Sequence, residues 1–314
     1  MSTPKPFRYP LRWRVMDALE GAADLLWPRR LSRFTGWLLI TPALILVASL
    51  ALGLVEIADN SFRKLDVETF RMSEDYSLDN YRTAFSSDVY LNVAVRSLGA
   101  ALLTTLLTLI LAFPYAYVMV RTRSAAARKT LLVALFLPFF IGQVVRAYGW
   151  LIILGNDGIV NNALSVFGIE PQRFLFNFPA VVFGLVQYML PFAVLMLAPA
   201  LTAIPEETET AAKSLGASWP RAMWHVVLPM ARPGLIGAGL VVLTLALTDF
   251  AMPAMLGGGS QDFIANAIYD QFFRTSDAGL GAALTLLLVM AGTYLVGVVL
   301  SLFGAGTLAI GRRT

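Results

Sequence analysis

The sequence predicts an all-α membrane protein with six transmembrane helices and both termini in the cytoplasm. Of its 314 residues, 57% are hydrophobic and only 14% are charged, and the mean hydropathy is +0.69. A soluble globular chain carries about 25% charged residues, so this chain has too few to cover a surface that faces water. Its apolar residues fall into separate long blocks, and a helix needs about 20 such residues to cross a bilayer.

Six spans are predicted after a basic N-terminal segment, residues 1–35, which also carries Trp13 and Trp27. We expect this segment either to lie on the cytoplasmic membrane surface as an amphipathic helix or to be a solvated tail that orients the first span. The transmembrane domain covers residues 36–310, and residues 311–314 form a cytoplasmic tail. The predicted spans are Gly36–Ile57, Val95–Val120, Thr130–Leu154, Pro179–Leu201, Pro233–Met255 and Gly281–Ile310.

The charges of the connecting loops predict the orientation of these spans. Basic residues cluster in the loops of one side, which is therefore cytoplasmic. They are Arg121, Arg123, Arg128, Lys129, Lys213, Arg221, Arg232, Arg312 and Arg313. Acidic residues outnumber basic ones in the loop 58–94, which is expected outside. The pattern predicts a multi-pass protein of the lipid bilayer. The net charge of +4 is attributed to cytoplasmic loops and is not taken as a sign of nucleic-acid binding.

Composition also limits the chemistry that the chain can perform. The absence of cysteine excludes thiolate metal sites and cysteine nucleophiles, and a single histidine, His225, excludes a histidine-rich metal site. No Gly-rich phosphate loop ending in Gly-Lys-Ser/Thr occurs in the sequence. An intramembrane enzyme would need a nucleophile with a base, or paired carboxylates, and Asp249 has no acidic companion in a predicted span. We therefore predict a non-catalytic membrane protein.

The cytoplasmic loop 203–232 predicts two short helices on either side of Gly216. Pro205 favours the start of the first helix, Ser218 is placed to cap the second, and Pro229 is expected to follow its end. The second helix carries an apolar patch at helical spacing. The patch comprises Trp219, Met223, Trp224 and Val227. It fits either docking into a groove of a partner or resting on lipid headgroups.

Two parts of this loop, Ala211–Ala217 and Val226–Pro229, resemble the EAA loop of ABC importer permeases. That pattern reads Glu-Ala-Ala, three residues, Gly, nine residues, Ile or Val, one residue, Leu-Pro. Thr210 stands where the family has Glu, and Glu209 lies one residue earlier. The resemblance implies the type I ABC importer permease fold and a loop that couples to a cytoplasmic ATPase. The coupling residues it implies are Glu209, Thr210, Ala211, Ala212, Gly216, Ala217, Val226, Leu228 and Pro229.

Further blocks are similar to the first-type permease of spermidine/putrescine ABC transporters. They are Asn80-Tyr81, Pro114–Tyr117, Val145–Trp150, Gly155–Asn161, Leu247–Phe250, Leu256–Gly259 and Ile268–Phe272. The resemblance implies a location in the bacterial inner membrane and three kinds of partner besides lipid: a second homologous permease, two copies of an ABC ATPase, and a periplasmic solute-binding protein that delivers the cargo. It implies no cofactor in this chain, since the ATPase would bind ATP and Mg. Relatives that carry phosphonates, opines or other small solutes, and an ATPase-independent channel or secondary transporter, remain alternatives.

Two ionisable residues fall inside predicted spans, Arg146 in the third and Asp249 in the fifth. Charges at membrane depth tend to face a cavity or a partner. They either contact the solute or neutralise each other, or partners on the second permease, to hold the helices together. The candidate substrate pathway comprises Arg146, Tyr148, Trp150, Asp249, Tyr269 and Asp270. Asp249 and the aromatic rings suit a protonated amine, whereas an unpaired Arg146 better suits a phosphonate or carboxylate.

Overall fold

The computed structural model describes residues 13, 15–17, 21, 32–66, 69 and 71–303. Most of the predicted N-terminal segment, residues 304–310 of the predicted sixth span and the predicted tail lie outside these residues. The described chain is largely helical and contains one small antiparallel sheet. Its helices are α1 (Ser32–Ser61), α2 (Asp79–Ser86), α3 (Asp88–Arg121), α4 (Ala125–Phe136), α5 (Gln143–Leu154), α6 (Ile159–Val166), α7 (Phe178–Thr202), α8 (Glu206–Ser214), α9 (Trp219–Ala222), α10 (Leu228–Met230), α11 (Arg232–Leu247), α12 (Ala251–Leu256), α13 (Ile264–Phe273) and α14 (Ala278–Phe303). A 3₁₀ turn covers Pro138–Phe140 and a π-helical turn covers Met223–Val227.

Four of the described helices are long and apolar enough to cross a membrane, or up to six spans result if each of two bent helix pairs counts as one. The four lie within α1, α3, α7 and α14 and match the predicted first, second, fourth and sixth spans. A mostly helical, membrane-embedded chain is therefore confirmed.

The predicted third span is not one straight helix. The stretch Ala125–Phe140 and the stretch Gln143–Val166 meet at an angle of 97°. Pro138 lacks the N–H of a continuing helix, and the next residues, Ile141 and Gly142, have extended backbone with ψ of 122° and 145°. The extended residues turn the chain before α5 begins.

The predicted fifth span is also interrupted. Helix α11 ends at Leu247, and residues 248–250 separate it from α12. At the start of α11, the helical stretch Trp219–Met230 meets it at an angle of 70°. Non-helical backbone at membrane depth is tolerated where protein or a water-filled cavity surrounds it.

The chain divides into two units at Glu56 and Ile57, and the first contributes most of α1. Every described side chain from Trp37 to Glu56 is exposed, as expected for a helix that faces lipid or another subunit. In the second unit, α3, α7 and α11 pack on one another through small buried residues, among them Ala112 of α3 and Ala238 of α11. Small side chains let membrane helices approach closely.

The outer loop 58–94 contains structure that the sequence did not predict. Strands β1 (Arg63–Asp66) and β2 (Arg71–Tyr76) form an antiparallel hairpin. Buried Asn80 holds the start of β1 in place, because its Nδ2 donates to the backbone oxygens of Ser61 at 3.0 Å and Arg63 at 2.8 Å.

Candidate functional site

The loop 203–232 contains α8 and α9 on either side of a glycine elbow, which confirms the predicted helix–glycine–helix arrangement. Gly216 has a φ of +86°, a left-handed conformation that residues with a Cβ resist. Leu215, directly before it, is 89% exposed and forms the tip of the elbow. The loop therefore presents an exposed apolar side chain at the turn between two short helices.

Pro229 does not end the second helical piece, contrary to the prediction. The helix widens into a π-helical turn in which the N–H of Leu228 bonds to the oxygen of Met223, five residues back. A proline inside an α-helix clashes with the carbonyl four residues earlier, and a π turn is a recognised way to accommodate such a disturbance. The helical stretch therefore continues to Met230 and bends only at Ala231.

Glu209 points into the protein rather than toward solvent. It is 7% exposed, and its carboxylate bonds to two side chains of α3. Tyr117 Oη donates to Oε2 at 2.7 Å, and Arg121 Nε donates to Oε1 at 2.8 Å. Arg121 Nη2 also donates to the backbone oxygen of Ile204 at 2.8 Å. Glu209 thus attaches α8 to the C-terminal end of α3.

Thr210, the residue in the family's glutamate position, is exposed and donates its hydroxyl to the backbone oxygen of Glu206 at 3.1 Å. The remaining predicted coupling residues differ in how far they are exposed to solvent. Ala211 and Gly216 are exposed, and Ala212, Ala217, Val226, Leu228 and Pro229 are half-buried.

The apolar patch of the second helical piece is divided between two environments. Trp219 packs edge-on against Tyr117 of α3, with 6.3 Å between ring centroids. Trp224 is 67% exposed. Between α3 and the stretch Trp219–Met230 lies an apolar groove of about 630 Å³, whose walls include Phe113 and Met223.

Arg146 and Asp249 are both buried, and each has partners other than its predicted counterpart. Arg146 Nη2 donates to the backbone oxygens of Pro138 and Ile141 at the bend before α5. Asp249 accepts from the side-chain amide of Gln143 and, at 2.9 Å, from the backbone N–H of Met252. The structure therefore does not show the predicted mutual neutralisation.

The surroundings of these two charges include Tyr188 of α7 and Gln143 of α5. The guanidinium carbon of Arg146 lies 5.4 Å from the centroid of the Tyr188 ring, a cation–π distance. Gln143, which donates to Asp249, lies three residues before Arg146 on α5. The Nε and Nη1 atoms of Arg146 are buried and have no hydrogen-bond partner among the described residues. The arrangement combines an aromatic ring, a carboxylate and unused guanidinium donors.

The other four predicted pathway residues differ in their contacts and in their solvent exposure. Trp150 packs edge-on against Phe183 at 4.7 Å, and Tyr148 is 61% exposed. Tyr269 stacks on Phe250, the residue after Asp249, at 4.9 Å. Asp270 forms an ion pair with Arg274 at 3.2 Å.

Sequence reasoning missed several residues of both regions. Gln143 and Tyr188 complete the buried polar group, and Tyr117 and Arg121 complete the anchor of Glu209. Arg121 appeared in the sequence only as an orienting loop charge, and the two tyrosines and the glutamine lie within apolar runs. No spacing in the sequence singles them out.

Comparison with known proteins identifies the family. Residues 89–308 match the model of the family described as binding-protein-dependent transport system inner membrane component. The chain is 34% identical over 225 residues to the spermidine/putrescine transport system permease protein PotB of Escherichia coli, covering 70% of this chain and 81% of the relative. It is 31% identical over 269 residues to PotB of Salmonella typhimurium strain LT2, covering 84% and 93% respectively.

A further relative is the inner membrane ABC transporter permease protein YdcU of Escherichia coli, which is 30% identical over 257 residues and covers 77% of this chain and 82% of the relative. The fold is similar to that of a bacterial ABC transporter involved in alginate import, with a TM-score of 0.71, 20% identity, and coverage of 88% of this chain and 97% of that one. The predicted importer-permease resemblance is confirmed. The chain belongs to the binding-protein-dependent transport system inner membrane component family and is a multi-pass permease subunit of an ABC importer.

Proposed function

We propose that this chain is the first permease subunit of a polyamine importer and that a separate cytoplasmic ATPase drives it through the loop 203–232. The observation that carries the coupling role is the elbow at Gly216, which holds Leu215 in the cytoplasm on two short helices. An exposed leucine on a pre-formed turn has little conformational freedom to lose when it enters a pocket. The ATPase, not this chain, would bind ATP and Mg.

The proposed complex contains this chain, a second homologous permease, two ATPase copies and a periplasmic solute-binding protein. The permease relatives named above support the polyamine cargo. A similar fold was solved in a bacterial alginate transporter in complex with a periplasmic protein carrying an alginate pentasaccharide. We place the exposed apolar side chains of α1 against lipid or the second permease.

We further propose six spans with both termini in the cytoplasm. Four of the six spans are single helices. Each of the other two would be a bent pair of helices, namely α4 with α5, and the Trp219–Met230 stretch with α11. With this count, the basic loops that contain Arg121, Arg128 and Lys213 lie on the same side, as the positive-inside rule requires.

The solute pathway is proposed to pass the group formed by Asp249, Gln143, Tyr188 and Arg146. A polyamine would approach the Asp249 carboxylate and the face of Tyr188, through charge and cation–π attraction. Trp150 packs against Phe183, and Tyr269 packs against Phe250. Tyr148 and Asp270 are proposed only as further residues that the solute contacts along the pathway.

A specific observation favours a second candidate cargo. The two unpartnered nitrogens of Arg146 suit a phosphonate or carboxylate, which would satisfy both of them, whereas a polyamine would be repelled by the same charge. The second candidate is therefore an importer of the same class that carries an anionic solute, such as a phosphonate or an opine.

The coupling role is tested by co-purification of the tagged permease with the ATPase encoded beside it. Proline has a φ near −65° and cannot adopt the +86° of Gly216, so Gly216→Pro is expected to abolish co-purification. Gly168→Pro is the matched control, because Gly168 has a φ of +72° in an outer loop. Retention of the ATPase by Gly216→Pro would contradict the proposal.

The cargo is tested separately with the purified binding protein, by calorimetric titration with spermidine, putrescine and a phosphonate. Tight binding of a polyamine supports the first candidate. Tight binding of only the phosphonate would replace it with the second.

A further inference from the structure

Helix α3 is tied to the cytoplasmic loop by a buried ion pair. Arg121 and Glu209 lie 2.8 Å apart, and their side chains are only 14% and 10% exposed. The Tyr117 hydroxyl holds the second carboxylate oxygen. A buried pair is costly to break, because separation leaves a charge without a partner. A displacement of α8 is therefore expected to displace the cytoplasmic end of α3 with it.

The outer end of the same helix holds the loop between α12 and α13. Arg96 Nη1 donates to the backbone oxygens of Ser260 at 3.0 Å and Asp262 at 3.4 Å. The hydroxyl of Ser97 accepts the backbone N–H of Ile264 at 2.8 Å, and this bond is buried. The outer loop is thus attached to α3 by three hydrogen bonds.

The attached segment also contacts the break that carries Asp249. Asn266 Nδ2 donates to the backbone oxygen of Phe250 at 3.0 Å, and Asn266 Oδ1 accepts from the backbone N–H of Phe263 at 2.9 Å. Phe250 directly follows Asp249. A movement of residues 260–266 would therefore displace the backbone in the interruption between α11 and α12.

α3 is one helix of 34 residues, and its stretch from Arg96 to Arg121, which joins these two sets of contacts, is about 37 Å long at 1.5 Å per residue. Pro114 does not interrupt it. The route through α11 is different, since the stretch Trp219–Met230 meets α11 at 70°. An unbroken helix transmits a displacement along its axis, whereas a bend absorbs part of it in backbone angles.

We propose that α3 is a strut that carries movement of the coupling loop to the outer loop 257–263 and to the break at Asp249. The inference rests on the proposed function, because it takes the ATPase as the source of movement. Glu209, Arg121 and Arg96 are positioning residues: Glu209 acts through α3 rather than by contact with the ATPase. Glu209, which lies one residue before the family's glutamate position, would therefore act within the permease itself.

The test uses the assembled transporter in nanodiscs and the fact that this chain has no cysteine of its own. A single Ser260→Cys substitution places a thiol on the exposed outer loop, and the rate of maleimide labelling is measured with and without ATP and vanadate. With the strut intact, the nucleotide is expected to change that rate by about fivefold or more, the lower range of an allosteric coupling. Adding Glu209→Gln is expected to reduce the change to less than about twofold, whereas the exposed control Glu170→Gln keeps it.

A charge exchange separates a positioning role from a merely structural one. The double variant Glu209→Arg with Arg121→Glu re-forms the pair and is expected to recover the nucleotide response. The double variant Arg96→Gln with Ser97→Ala removes all three outer hydrogen bonds without touching the cytoplasmic loop, and it is expected to abolish the response while the ATPase still co-purifies. If Glu209→Gln does not assemble, the double variant Arg96→Gln with Ser97→Ala is the deciding test, and a normal response in that variant overturns the inference.

The two proposals fail in different ways. A reference permease that binds no ATPase contradicts the proposed function and, with it, this inference. A Glu209→Gln permease that assembles and responds to nucleotide as the Glu170→Gln control does contradicts the strut alone.

Discussion

The side-chain amide of Gln143 donates a hydrogen bond from Nε2 to Oδ2 of Asp249. Gln143 is the first residue of α5 after the 97° bend, and Asp249 lies in the break between α11 and α12. This bond joins the interruptions of two neighbouring spans. Since Met252 holds the other carboxylate oxygen, a solute that binds Asp249 has to displace one of two existing partners.

Substitution of Asp249 tests its place in the pathway. Asp249→Asn removes the negative charge while keeping the shape of the side chain. Polyamine uptake is expected to fall by about tenfold or more, since hydrogen bonds to charged groups contribute about 1.5–3 kcal/mol. The measurement is initial uptake of labelled spermidine into proteoliposomes, with the exposed Asp157→Asn as control. Unchanged uptake in Asp249→Asn would remove this residue from the pathway.

Substitution of Arg146 tests its structural role at the bend. Arg146→Leu leaves the backbone oxygen of Ile141 without its side-chain donor, while the Pro138 oxygen keeps the N–H of Ile141 at 3.2 Å. An orphaned backbone group costs about 1–3 kcal/mol. The apparent Tm of the purified permease in detergent is therefore expected to fall by several degrees. Arg173→Leu, on an exposed outer-loop arginine, is expected to leave it nearly unchanged. An equal Tm for both variants would contradict the assigned contacts.

Two glycines of α11 are expected to respond to alanine in opposite directions. A Cβ at Gly234 would overlap the Cβ of Ala200 on α7, and Ala200 has no flexible end that can move aside. Gly234→Ala is therefore expected to destabilise the permease by about 1–3 kcal/mol. Gly237 faces open space, and Gly237→Ala is expected to stabilise it by about 0.5–1 kcal/mol. Thermal unfolding of both variants in the same detergent checks the packing, and destabilisation by Gly237→Ala alone would refute it.

The exposed tip of the coupling loop is expected to be an anchor for the ATPase. Leu215→Asp places a charge where an apolar pocket is proposed, and loss of an anchor residue costs about 2 kcal/mol or more. ATPase affinity, measured by biolayer interferometry on the permease complex, is expected to fall by about 30-fold. Leu78→Asp, on an outer-loop leucine that is 57% exposed, is the matched control. A normal affinity for Leu215→Asp would show that the tip does not dock.

Local signals in the sequence predicted the parts of the fold that depend on local physics. Long apolar blocks predicted the helices α1, α3, α7 and α14, because only a helix satisfies its backbone within one segment. The elbow at Gly216 followed from a helix-opening proline, a glycine and a cap position, which act within a few residues. Ser218 stands at the predicted N-cap position, although its side chain makes no capping bond.

The parts that were not predicted depend on contacts between distant segments. The prolines show where the third span can be interrupted, but the 97° bend lies in the extended backbone of Ile141 and Gly142, and the Ile141 oxygen accepts from Arg146 of the next helix. The bond from Arg121 to Glu209 joins residues 88 positions apart, so no periodicity reveals it. For the same reason Arg146 and Asp249 were recognised as buried charges while their partners were not.

ATP-dependent uptake of spermidine by proteoliposomes tests the central claim most directly. The vesicles contain this chain, its second permease and the ATPase, with the binding protein added outside. We expect uptake only when ATP and the binding protein are both present, abolished by Gly216→Pro and retained in Gly168→Pro. Uptake that persists without the ATPase, or in the Gly216→Pro variant, would contradict the account.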